Sequence, residues 1–217
     1  MTQADIVIVG GGLVGASLAI ALARDNSGAG KRIALIEAAA PPRSKPGWDE
    51  RCVALNVASR RIYEHLGLWP ALRPEAEPIT ATHISERGRF GVTRFTAAEA
   101  GEEALGWNVP VRVLGALLWQ KLSELPNVTV VCPAKVEGIR HPRPRQQNSG
   151  AGCGGGPVVA LELDSRLRGN DGKDGGAVEA RLVVACDGAQ SAIRQALGIG
   201  AQERDYHQVA IVGAVRP

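Results

Sequence analysis

Three glycines at Gly10, Gly12 and Gly15, with Glu37 following 22 residues after the last, are the positions of clearest chemical meaning in this chain. In a Gly-x-Gly-x-x-Gly turn the first glycine lets the chain reverse sharply. The second leaves no Cβ between backbone and a pyrophosphate, and the third lets a helix lie close to a strand. A helix starting there offers free N–H groups and the positive end of its dipole to phosphate oxygens, and Leu13 and Val14 fall in that turn. An acid in the place of Glu37 accepts hydrogen bonds from an adenosine ribose and repels a 2′-phosphate. The set therefore fits FAD or NAD and disfavours NADP. A glycine-rich turn in an unrelated α/β protein is the competing reading. Asp187-Gly188 is the other notable pair: it follows a buried-type strand, where open α/β sheets place their ligands. Asp187 could equally serve as a helix N-cap.

Other chemistries find little support. His65, His83, His141 and His207 stand alone, so each reads as a surface or packing residue and none is assigned as a catalytic base. Cys52, Cys132, Cys153 and Cys186 are widely separated, with no C-x-x-C pair. Neither a metal site nor a disulfide framework is expected, and a reducing cytoplasm is the default setting.

These residues need a frame to hold them. Ile6–Val9 is a β-branched strand, Ala16–Arg24 an Ala-rich helix and Arg32–Ile36 a second strand, which makes one βαβ unit. After a Pro-rich, charged loop at 38–50, Leu55, Ala58, Ile62 and Leu66 form a helical stripe that Gly67 stops. Thr80–Ser85 and Gly91–Phe95 read as a hairpin around a polar turn at 86–89, belonging to a second layer or domain. Helical periodicity returns over Val111–Leu125, with Leu114, Leu117, Leu118, Leu122 and Leu125 on one face and Pro126 closing it. Asn127–Cys132 is expected as a buried strand extending the parallel sheet. Ala134–Ile139, Pro157–Leu163 and Ala177–Ala185 follow as strands, separated by Gly-rich insertions at 140–156 and 165–176. A helix near Ser191 and a last strand at Val209–Val215 complete the reading.

Composition narrows the class further. With 217 residues, 45% hydrophobic and 22% charged, the chain can bury a real core as one large domain or two small ones. Aromatics are only 4% while glycines number 27, which suits helices packed closely on a sheet. A net charge of +3 is slight and argues neither for nucleic acid nor for a strongly acidic partner. The basic run at 140–145 lacks interleaved aromatics and reads as a solvated loop. No basic, cleavable leader opens the chain and no apolar run reaches membrane-spanning length, so a cytoplasmic protein is expected.

Taken together, the glycine motif with Glu37, Asp49-Glu50-Arg51 before a helix, and Ala185-Cys186-Asp187-Gly188-Ala189-Gln190-Ser191-Ala192-Ile193-Arg194 resemble the FAD-dependent aromatic hydroxylases, the class A flavoprotein monooxygenases. Asp49–Leu55, Gly67-Leu68-Trp69 and Ile79–Gly88 are most similar to the ubiquinone-pathway branch of that family, whose members act on polyprenylated methoxyphenols. The resemblance runs from residue 4 to residue 217 apart from the two insertions. It implies an α/β fold: a Rossmann-like FAD-binding domain with a parallel sheet and an antiparallel β-meander, joined to the start of a mixed α+β substrate domain. The FAD-binding domain would comprise residues 1–75 and 109–200. The substrate-domain hairpin would lie at 76–108, with 201–217 opening the rest of that domain.

By the same resemblance, Gly10, Gly12, Leu13, Val14 and Gly15 would hold the FAD pyrophosphate and Glu37 the adenosine ribose. Arg51 would reach the cofactor with a guanidinium fork suited to phosphate, its plain alternative being a surface arginine paired with Asp49 or Glu50. Arg112 would contact the flavin side, and Asp187-Gly188 would serve both FAD and NAD(P)H. The implied reaction is ring hydroxylation of a polyprenylated phenol with O₂ and NAD(P)H, on an enzyme that visits the membrane peripherally or meets other ubiquinone-pathway proteins. The family's third fingerprint, a Gly-Asp motif ahead of a His-Pro region, is absent, so the chain reads as the N-terminal half of a longer enzyme. A non-catalytic dinucleotide-binding fragment and another FAD or NAD oxidoreductase are the alternatives.

Overall fold

A computed structural model describes residues 2–24, 30–39, 51–140, 159–163 and 177–209. The elements in chain order begin with β1 (Thr2–Val9), α1 (Leu13–Ala23), β2 (Ile33–Ile36), β3 (Cys52–Asn56), α2 (Val57–His65) and α3 (Trp69–Leu72). Next come β4 (Glu77–Ile79), β5 (Ala81–Ser85), β6 (Val92–Thr96), β7 (Gly106–Pro110) and α4 (Val111–Ser123). The series closes with β8 (Val128–Val131), β9 (Val136–Arg140), β10 (Val159–Leu163), β11 (Ala177–Ala185) and α5 (Ala192–Ala196). The chain divides into two units, one of Met1–Arg43 with Leu118–Gln208, the other of Ser44–Leu117 with Val209–Pro217.

The first unit is built on a mixed sheet in the order β8-β2-β1-β11-β10-β9. Its first four strands run parallel, and β11, β10 and β9 form an antiparallel meander. Central parallel strands are covered on both faces and need continuous apolar runs. Ile6–Val9 and Ile33–Ile36 supply them, every side chain buried. Helix α1 buries Gly15, Ala16, Ala19 and Ile20, a stripe of mostly small residues that lets its axis lie close to the sheet. Asn127 ties the frame at its far end, its Nδ2 donating to the carbonyls of Ala23 (3.1 Å) and Lys31 (3.3 Å). The α/β class, the parallel sheet and the meander match the sequence-based expectation. Strand β8 lies at one end of the described sheet, and Val128, Val130 and Val131 are half-buried, not buried as the sequence led us to expect.

In the second unit, β3, β7 and β4 make an antiparallel sheet, and β5 and β6 the expected hairpin. The helical stripe read from Leu55 is corrected here. Leu55 lies in β3 opposite Trp107 of β7, and α2 begins only after Asn56, whose Oδ1 accepts from Ser59 N at 2.8 Å. Pairing with a strand some fifty residues away outweighs local periodicity, because it buries both Leu55 and Trp107. The stripe is displaced as a result: Tyr63 faces the core and Ile62 is 56% exposed. Trp107 meets Trp69 edge to face at 5.4 Å, and the Arg60 guanidinium stacks on Trp107 at 4.9 Å. Most of the two insertions, the loop at 40–50 and the strand expected at 209–215 lie outside the described residues.

Candidate functional site

Strand register assembles the site. Val9 pairs with both Ile36 and Ala185, and Ile36 with Val131, so β1, β2, β11 and β8 end at one level. The residues that follow them, Gly10, Glu37, Cys186-Asp187 and Cys132–Lys135, therefore emerge together at the carboxyl edge of the sheet. A cleft of about 430 Å³ opens there, lined by Gly10, Gly12, Glu37, Ala134, Lys135, Asp187, Gly188 and Gln190 among others. Ligands of open α/β sheets bind at such an edge.

The three glycines are held for different reasons. Gly10 has φ +103°, and a Cβ on it would stand 2.3 Å from the Cys186 carbonyl oxygen. On Gly15 a Cβ would come within 1.9 Å of the Gly10 oxygen, so β1 and α1 meet there backbone to backbone. Gly12 is different: nothing lies within 4 Å of where its Cβ would be. It is the N-cap of α1 and gives the helix no side-chain cap, leaving the first-turn N–H groups without an acceptor from the helix itself. Leu13 starts the helix and Val14 is 72% exposed.

Glu37 sits at the same edge with its backbone fixed on both sides. Its N–H donates to Val131 O (3.0 Å), and its carbonyl accepts from Ala134 N (2.8 Å). Its carboxylate accepts from Gly11 N at 2.5 Å through Oε2 and from Ala39 N at 2.9 Å through Oε1. An ionised carboxylate has about four acceptor positions, so capacity for hydroxyl donors remains. Asp187 Oδ2 accepts from Ile193 N at 3.2 Å, while Oδ1 is buried and has no partner among the described residues. Ser191 is the N-cap of α5, its Oγ accepting from Arg194 N at 3.0 Å. Asp187 thus supports the same helix start, and keeps one oxygen for something else. Burial pushes its carboxyl up, but hydrogen bonds from Ser191 and from backbone N–H groups including those of Ile193 and Ala192 outweigh this and hold it below the usual aspartate range.

The structure brings Gly10, Gly12, Glu37, Asp187 and Gly188 around one cleft, with Leu13 and Val14 in the helix turn that starts beside Gly12. Arg51 and Arg112 belong to the second unit. The Arg51 carbonyl accepts from Val111 N at 2.9 Å, and Arg112 stands exposed in the first turn of α4. Among the described residues no group of three His, Cys, Asp or Glu side chains could hold a metal, and no helix is long and apolar enough to cross a membrane. Ala134, Lys135 and Gln190 escaped the sequence reading, as did Trp119, whose Nε1 donates to Gly11 O at 3.1 Å. Lys135 follows a strand end aligned with Glu37, a signal that only register reveals.

A family model described as the FAD binding domain matches residues 3–145 and 161–215. The chain belongs to this FAD-binding domain family. Among relatives of this FAD-binding domain, a ubiquinone hydroxylase, UbiL, of Rhodospirillum rubrum is 33% identical over 96% of the chain, which spans 43% of that relative. The 3-demethoxyubiquinol 3-hydroxylase of Escherichia coli is 32% identical over 98% of the chain and 48% of its own length. The FAD-binding domain thus spans less than half the length of these two curated relatives. Of solved structures, p-nitrophenol 4-monooxygenase PnpA from Pseudomonas putida shares the fold, with a TM-score of 0.65 at 22% identity over 91% of this chain and 44% of that one. The residues present fit FAD: the open space at Gly12 and the uncapped helix start are suited to phosphates, and the unpartnered Asp187 oxygen to a hydroxyl donor.

Proposed function

We propose that this chain is the FAD-binding portion of a monooxygenase that hydroxylates the ring of a polyprenylated methoxyphenol in ubiquinone biosynthesis, with NAD(P)H and O₂ as co-substrates. The observation that carries the cofactor part is the cleft in which Gly10, Gly12, Glu37 and Asp187 converge at aligned strand ends. The pathway part is supported by the names of the relatives, a ubiquinone hydroxylase and a 3-demethoxyubiquinol 3-hydroxylase. In this reading Gly12 and the first-turn N–H groups of Leu13 and Val14 hold the pyrophosphate, and Gly10 and Gly15 shape the turn that presents them. Glu37 accepts from the adenosine ribose, and its negative charge disfavours a 2′-phosphate at that position. Asp187, a pure acceptor when ionised, takes a hydroxyl of the cofactor on its unpartnered Oδ1. The parts given to Arg51 and Arg112 rest on the family resemblance.

Bound flavin supplies the redox and oxygen chemistry, and the chain's own residues bind and orient it. A polyprenyl tail is insoluble in water, so the whole enzyme would meet its substrate at a membrane surface. The test is spectroscopic: the 217-residue chain is incubated with FAD, desalted and scanned. Retained flavin absorbance is the expected result, and a colourless protein overturns the reading. Phenol-stimulated oxidation of NAD(P)H by the loaded protein would then establish the monooxygenase part. A second reading is that this chain binds the cofactor and turns nothing over. Flavin retention without phenol-stimulated oxidation would select it.

A further inference from the structure

We infer that Trp119 is a positioning residue that sets the orientation of the Gly11–Gly12 peptide and so aims the Gly12 N–H at the pyrophosphate of a bound dinucleotide. The inference rests on the cleft being a dinucleotide site. Trp119 lies in α4, half-buried, 108 residues along the chain from Gly11, and its Nε1 donates to Gly11 O at 3.1 Å. The Gly11–Gly12 peptide is trans, so its carbonyl and its N–H point in opposite directions. With the carbonyl held towards the indole, the N–H is turned away from it, on the residue whose missing Cβ looks onto open space.

A peptide flanked by two glycines is the one most able to flip, because neither side carries a Cβ to forbid the alternative φ and ψ. A flipped peptide would present a carbonyl oxygen where a phosphate needs a donor. Two groups oppose this. Glu37 Oε2 accepts from Gly11 N and fixes the peptide before it, and the Trp119 indole fixes the peptide after it. Gly11 is closely held between them: a Cβ added there would stand 3.0 Å from Glu37 Cβ and 3.1 Å from Trp119 Cζ2. The indole is half-buried and spends its one N–H on this carbonyl, while Leu114, Leu118 and Leu122 supply the buried stripe of α4.

The experiment compares wild type with Trp119→Phe, which keeps an aromatic ring and loses the donor. ADP and adenosine are titrated into the 217-residue chain by calorimetry, with thermal melts as a check on folding. Trp119→Phe is expected to weaken ADP roughly 2- to 10-fold, the range for one hydrogen bond, and to leave adenosine, which has no pyrophosphate, unchanged. Equal weakening of both ligands shows a merely structural role and overturns the inference, as does an unchanged ADP affinity. A wild-type chain that binds no ADP overturns the dinucleotide reading itself, and this inference with it. Hydrogen exchange of the Trp119 indole proton in the wild-type chain gives a second measure, independent of the variant's folding. It should slow when ADP is added, and exchange unaffected by ADP counts against the inference.

Discussion

At the scale of single residues, the cleft separates glycines needed for the fold from one whose space is open. Gly15→Ala would force a Cβ to 1.9 Å from the Gly10 oxygen, and Gly10→Ala would combine a 2.3 Å clash with φ +103°. Neither neighbour is a flexible side chain, so both changes should destabilise by about 3 kcal/mol or more, read from urea unfolding. Gly12→Ala should behave oppositely. Its Cβ meets nothing within 4 Å and its φ is −66°, so the melting temperature should hold while the new methyl obstructs phosphate and ADP affinity falls about tenfold or more. If Gly12→Ala destabilises as much as Gly15→Ala, the open-space assignment is wrong. Asp187 gives a pH prediction. Its carboxyl titrates below the usual aspartate range in the folded chain, so the stability it contributes is complete above that range. It is lost as pH falls from there through the lowered folded value. Asp187→Asn should therefore unfold with a flatter dependence on pH between neutrality and strong acid, and an unchanged slope would refute the assignment.

At the scale of elements, the site depends on how helices and strands begin and end. Ser191 caps α5 and Asp187 reaches the same first turn. Ser191→Ala should cost about 1 kcal/mol and loosen the loop that carries Asp187, measurable as a lower urea midpoint together with weaker ADP binding. The elements legible in the sequence are those whose signal is local. The β-branched run before Gly10, the glycine spacing and the leucine stripe of α4 each specify their element through neighbours in the chain. Leu55 shows the limit: its partner Trp107 lies far along the sequence, and periodicity assigned to a helix a residue that pairing places in β3. The short strands β4 and β7 escaped for the same reason, since they are stabilised by non-local partners more than by their own composition. The positions of Gly10, Gly12, Glu37 and Asp187 could be read as candidates, but their convergence needed the register of β1, β2 and β11. Trp119 left no sequence signal beyond being an aromatic one position off the buried leucine stripe.

At the scale of the whole chain, every named lining residue of the cleft, from Val9 to Ile193, belongs to the first unit. The second unit has buried residues of its own around Tyr63, Trp69, Leu72 and Trp107. A ligand that binds only the folded state stabilises what it contacts by mass action, about 2.7 kcal/mol at a hundredfold excess over Kd. Stabilisation of that size should appear where the contacts are, because local opening is governed by the stability of each cooperative segment. Hydrogen exchange read by mass spectrometry, with and without saturating ADP, should therefore show slowed exchange in peptides covering residues 5–16, 33–38 and 182–193. Peptides covering residues 52–110 should change little. Uniform slowing across both sets would mean that the two units open together as one cooperative body, with the ligand's stabilisation spread over the chain. Slowing confined to residues 52–110 would place the ligand elsewhere and remove the basis for assigning Gly12, Glu37 and Asp187 to the cofactor.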